Sequence, residues 1–102
     1  MQIAPDEVQR KLAASPAPVI LDVRSPQETL AEGVIEGALL IPLDQLPARV
    51  QEVPQGREII AVCKRGMRSF NAAQWLKGAG RDAVSMSGGM DQWKALGLPV
   101  KK

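Results

Sequence analysis

The stretch Ile59-Ile60-Ala61-Val62-Cys63-Lys64-Arg65-Gly66-Met67-Arg68-Ser69 decides the fold. Four apolar residues in a row lead into a cysteine, a basic glycine-bearing loop follows, and a helical pattern begins at Ser69. Apolar residues that run on rather than alternate mark a strand covered on both faces, the habit of parallel sheets. A strand that passes through so short a loop into a helix is half of a βαβ unit. Phe70, Ala73 and Leu76 give that helix an apolar side over residues 69–77, and Gly78 and Gly80 end it.

The same alternation extends in both directions. Upstream, Val19-Ile20-Leu21-Asp22-Val23 predicts a second buried strand, and Ala38-Leu39-Leu40-Ile41 a short third one stopped by Pro42. Downstream, Ala83-Val84-Ser85-Met86 predicts another, broken by Gly88-Gly89. Helices are predicted between and around these strands. One begins at Pro5-Asp6-Glu7 and runs to about Ala14, with acids in its first turn to suit the dipole. A second starts at Ser25-Pro26-Gln27-Glu28, with serine as N-cap and glutamate three residues on. A third spans residues 43–53 with Pro47 near its start, and a last short one covers residues 90–96. Strands alternating with helices predict an α/β fold with a mainly parallel sheet. With 102 residues, 45% of them apolar, the expectation is a single domain over residues 1–102. Trp75 and Trp93 are expected as core anchors, since the chain holds few aromatic rings.

Composition removes several kinds of function. The formal net charge of +2 is mild, and there is no Lys/Arg run or aromatic stacking series for nucleic acid. No apolar stretch approaches membrane-spanning length, and residues 1–10 lack the apolar region of a signal peptide, so the cytoplasm is the expected location. Histidine is absent, which removes Cys-His and Ser-His dyads and histidine-ligated metals. A lone cysteine excludes an intramolecular disulfide and a Cys-x-x-Cys metal or redox pair. No cofactor or metal is expected.

Chemistry therefore concentrates on Cys63. A cysteine at the end of a core strand is ordinarily a small buried hydrophobe. Here Lys64, Arg65 and Arg68, together with Gly66 and the following helix start, favour a different reading. Amides of such a loop converge into an anion-binding nest, and the helix dipole adds about half a positive charge. In this setting a thiol is expected to ionise well below the usual range without a general base. Asp22 and Arg24, at the end of their own strand, are expected to form a structural ion pair that holds the neighbouring loop. Gly88-Gly89 is expected to be backbone punctuation near the cysteine loop, and Met67 and Phe70 an apolar edge of its mouth.

Four segments in order carry a resemblance: Leu21-Asp22-Val23-Arg24-Ser25-Pro26; Gly33-Val34-Ile35-Glu36-Gly37-Ala38 with Ile41-Pro42; the loop from Cys63 to Ser69; and Gly88-Gly89-Met90-Asp91-Gln92-Trp93 with Gly97-Leu98-Pro99-Val100. Together, over residues 19–100, they resemble a single-domain rhodanese, a sulfurtransferase. The resemblance implies a five-stranded parallel sheet with helices on both faces. It implies that Cys63 is catalytic, accepting a sulfane sulfur as a persulfide and passing it on, with Lys64, Arg65, Gly66, Met67, Arg68 and Ser69 forming the binding loop. Two positions depart from the family pattern. The usual Gly-His-Ile is Gly33-Val34-Ile35, and the stretch from Arg24 to Gly33 is one residue longer, with Thr29-Leu30 where an aromatic commonly sits.

Rhodanese-like phosphatases resemble this fold but close a longer loop, Cys-x5-Arg, around phosphate. Here four residues separate Cys63 from Arg68, and position 69 is serine, which disfavours a phosphatase or arsenate reductase. The cations point to a small anionic sulfur donor such as thiosulfate, with Arg68 facing it, although solubility accounts for Lys64 and Arg65 equally well. Without a second cysteine, the acceptor must be external: cyanide, a small thiol or a partner protein's cysteine. The alternative is a non-enzymatic relay module that takes persulfide from another protein.

Overall fold

Strand alternation sorts the central apolar residues onto two faces. Ile59, Ala61 and Cys63 join one buried cluster with Leu21, Val23 and Ile41, whereas Ile60 and Val62 join another with Ile20 and Met86. A strand apolar on both sides needs a helical layer on each, and the chain supplies both. In the computed structural model, which describes residues 2–102, five strands form one sheet. They are β1 (Gln2–Ile3), β2 (Val19–Asp22), β3 (Leu39–Leu40), β4 (Glu58–Val62) and β5 (Asp82–Met86), in the spatial order β1-β5-β4-β2-β3. Every pairing is parallel. At the centre Leu21 is level with Ala61, and Ala61 with Ser85.

Helices α1 (Pro5–Leu12) and α4 (Gly89–Ala95) cover one face, supplying Val8, Met90 and Trp93 to its core. Helix α3 (Met67–Gly78) covers the other with Ala72, Ala73 and Leu76, joined by Leu46 and Val53. Helix α2 (Pro26–Glu32) buries no residue fully. Its start is fixed locally: the Ser25 hydroxyl accepts from the Glu28 amide, and the Glu28 carboxylate accepts from the Ser25 amide.

Five details differ from the sequence expectations. Gln2–Ile3 forms an edge strand that no apolar pattern announced; Ile3 pairs beside Met86. The expected helix over residues 43–53 is two 3-10 segments, Leu43–Gln45 and Pro47–Glu52, because Pro47 cannot donate and Arg49 leaves the helical region at φ −120°. The third strand keeps only Leu39–Leu40. Helix α3 begins at Met67, so Met67 and Arg68 belong to its first turn. Trp75 is not a core anchor: the inward stripe of α3 is Ser69, Ala72, Ala73 and Leu76, which turns Trp75 outward at 41% exposure. Trp93 is 1% exposed, and its indole N–H donates to the Pro99 carbonyl at 2.8 Å. No helix among the described residues is long and apolar enough to cross a membrane.

Candidate active site

Cys63 follows the last residue of β4 and is 1% exposed. The chain turns at once into α3 through Gly66, whose φ of +100° is open to glycine but costly for other residues. Gly66 is the N-cap of α3, so the first amides of the helix have no carbonyl behind them. The cysteine sulfur takes that place. It accepts from the Gly66 amide at 3.0 Å and from the Ser69 amide at 3.3 Å. The Ser69 hydroxyl lies 3.4 Å from the sulfur and 2.7 Å from the Ser85 hydroxyl on β5, and both serines are fully buried. When Cys63 is a thiol it can donate to Ser69, and when it is a thiolate the Ser69 hydroxyl can turn to donate to it.

These contacts set the ionisation. Burial is the strongest single influence and pushes the thiol up. The Ser69 hydroxyl and the amides of Ser69, Gly66 and Arg65 outweigh it together, and the Cys63 pKa is lowered.

The carbonyls of the loop are held away from the sulfur. Met90 N–H donates to the Cys63 carbonyl at 2.7 Å and Asp91 N–H to the Lys64 carbonyl at 3.0 Å, both from the first turn of α4. Gly89, at φ +60°, allows this approach, because a Cβ there would collide with both carbonyls. The Gly88-Gly89 pair therefore docks the loop onto α4, beyond the punctuation expected of it.

The three cations expected around the sulfur are all engaged by carboxylates. Arg68 forms a two-pronged pair with Glu28, Nη1 to Oε1 at 2.7 Å and Nη2 to Oε2 at 2.8 Å. Lys64 lies between Glu32 at 3.6 Å and Asp91 at 3.5 Å, and Arg65 is 3.5 Å from Asp91. The Arg68 hydrogen bonds hold the Glu28 carboxyl down to about 2, overcoming partial burial, and the Ser25 amide adds to the effect. Glu28, Glu32 and Asp91 are the members of this site that sequence reasoning missed. Glu28 was legible as a helix cap, but nothing in the sequence joined it to Arg68.

Asp22 and Arg24 form the expected ion pair, buried at 0% and 1% exposure. Arg24 donates to Asp22 through Nε at 3.0 Å and Nη2 at 2.7 Å, and Nη2 also reaches the Gly33 carbonyl at 2.7 Å. Nη1 lies 3.4 Å from Glu32, so the pair fixes the end of α2 that carries Lys64's partner. Val34, where the family pattern has histidine, forms an antiparallel bridge with Lys101. Met67 is 78% exposed and shares with Arg65, Gly66 and Phe70 the wall of an open depression beside the loop. A separate groove of about 520 Å³ runs past Arg68, walled by Pro26, Pro42 and Leu43 and by Asp44.

The chain matches the family model described as a rhodanese-like domain over residues 4–96. It is 33% identical over 101 residues to a sulfurtransferase of Allochromatium vinosum, covering 97% of this chain and 92% of the relative. It is 30% identical over 98 residues to the putative sulfurtransferase YtwF of Bacillus subtilis, covering 96% and 94% respectively. Among solved structures, the rhodanese-like domain protein of Staphylococcus aureus superposes with a TM-score of 0.88 at 38% identity, over 99% of this chain and 98% of that one. A rhodanese-related protein of Thermoplasma volcanium gives 0.89 at 27% identity, over 97% and 95%.

Proposed function

This chain belongs to the rhodanese-like sulfurtransferase family, and from that premise we propose that Cys63 carries sulfane sulfur as a persulfide, from thiosulfate or a similar donor to an external acceptor. The observation that carries this reading is the cradle of donors around the Cys63 sulfur: the Gly66 and Ser69 amides and the Ser69 hydroxyl. Such a ring favours the thiolate before reaction and the negative outer sulfur after it.

In the first half-reaction the Cys63 thiolate attacks the outer sulfur of the donor. A new S–S bond forms on Sγ, the donor's own bond to that sulfur breaks, and its electron pair leaves with sulfite when the donor is thiosulfate. In the second, a thiophilic acceptor attacks the outer sulfur and Cys63 leaves as thiolate. Cyanide becomes thiocyanate, and a thiol becomes a persulfide. The chain has one cysteine, so the sulfur cannot be passed within it.

Incubation with thiosulfate, polysulfide or a small-molecule persulfide should add one sulfur mass to the intact protein. Cyanide should remove it, and Cys63→Ala should never acquire it. Absence of the adduct with all three donors would sink the reading.

A further inference from the structure

The charges around Cys63 bear on which donor it meets. Four cations stand near the loop, Arg24, Lys64, Arg65 and Arg68, and four carboxylates engage them: Asp22, Glu28, Glu32 and Asp91. The loop is basic in sequence and close to neutral in space. Arg68, the cation best placed to meet a donor, has both prongs of its fork on Glu28. Glu28 is itself anchored by the Ser25 amide at 3.0 Å. Asp44 places one more negative charge on the groove that runs past Arg68.

Thiosulfate enters such a site at a disadvantage. It is a dianion approaching a thiolate, and it must either displace Glu28 from Arg68 or approach beside the Glu28 and Asp44 carboxylates with no free cation on the loop to receive it. A protonated persulfide, R–S–SH, brings no charge on the sulfur under attack. The groove of about 520 Å³ reaches the site at Arg68 and carries Pro26, Pro42 and Leu43 on its wall, so an organic R group that extends past Arg68 would find apolar surface there that an inorganic anion cannot use.

We propose that the carboxylate partners of the loop cations, Glu28 foremost, make this site selective for thiol-borne persulfides over free dianionic donors. The proposal rests on the reading of Cys63 as the sulfur carrier. The step balances: the Cys63 thiolate bonds to the outer sulfur of R–S–SH, the R–S bond to that sulfur breaks, and RS⁻ leaves with the electron pair. The proton stays on the transferred sulfur or passes to solvent, and no oxidant or reductant is needed.

The test compares rates of Cys63 persulfide formation with cysteine persulfide and with thiosulfate, by intact mass, across a series of salt concentrations. In the wild-type protein cysteine persulfide should load faster by at least about tenfold, and thiosulfate loading should change little with salt. Glu28→Gln frees Arg68, so the thiosulfate-to-persulfide rate ratio should rise by roughly tenfold and thiosulfate loading should now fall as salt is added. Asp91→Asn, which removes the carboxylate partner of Arg65 and leaves Lys64 only Glu32 without touching the cap of α2, should shift the ratio the same way by less. Equal loading by both donors in the wild type, or an unchanged ratio in both variants, overturns the proposal while leaving Cys63 as sulfur carrier intact. Loading by neither donor overturns the functional reading itself, and this proposal with it.

Discussion

The Ser85 hydroxyl, on a strand behind the active loop, lies 2.7 Å from the Ser69 hydroxyl, which lies 3.4 Å from the Cys63 sulfur. The three side chains form a buried line along which hydrogen bonds can reverse. With a thiol the donors can point inward, from Cys63 to Ser69 to Ser85; with a thiolate they can all point toward sulfur. Ser85 thus supports the ionised state without touching it.

Removing that support should raise the Cys63 pKa, because the lowered value depends on donors outweighing burial. In Ser69→Ala the pH midpoint of alkylation by iodoacetamide should move up, and the rate at neutral pH should fall roughly tenfold, as expected for a lost hydrogen bond to a charged group. Ser85→Ala should move it in the same direction by less. A midpoint unmoved in both variants would show that the backbone amides alone set the ionisation.

Arg24→Met should leave the buried Asp22 carboxyl without its cationic partner, and should lower stability by about 3–5 kcal/mol in urea denaturation at neutral pH. Adding Asp22→Leu to the same chain should recover much of that loss. If the single change were as mild as a surface substitution, the pair would not be holding the loop at Gly33.

Gly89→Ala should be far worse than Gly37→Ala, although both glycines have positive φ, +60° and +84°. A Cβ at position 37 meets nothing, so only backbone strain is incurred, on the order of 1 kcal/mol. At position 89 the added carbon meets the Cys63 and Lys64 carbonyls. Thermal melts should separate the two variants, and Cys63 alkylation should slow only in Gly89→Ala.

Acid should weaken the protein partly through Glu28. Its carboxyl sits at about 2, against an ordinary 4.5, so its contribution is whole at neutral pH and is lost as pH falls through that window. Glu28→Gln should therefore lower the urea midpoint at neutral pH, and the gap to wild type should close as pH falls from 4.5 towards 2. A gap independent of pH would assign the loss to the helix cap rather than to the charge.

How much of this was legible in the sequence depended on range. Strand β4, the cysteine loop and the following helix could be read because their signals are contiguous: an apolar run, a glycine and a charge cluster. The Asp22–Arg24 pair was legible because only one residue separates its members. Strand β1 was not, since two residues carry no period and their pairing is supplied by β5 across the length of the chain. Trp75 misled because an aromatic ring signals burial only when its helix position faces inward. The neutral loop was the largest omission. Glu28 and Arg68 lie forty residues apart, and local charge counting cannot see a partner brought in by another helix.

The docking of α4 onto the loop also ties the active site to a distant part of the chain. Met90 and Asp91 hold the carbonyls of Cys63 and Lys64, and Gly88 backs Gly66 closely enough that a Cβ on the latter would sit 3.2 Å from the former's nitrogen. A change confined to α4, far from the sulfur in sequence, would therefore be felt at Cys63 through its own carbonyl, so the reactivity of the thiol reports on the seating of a helix that never touches it.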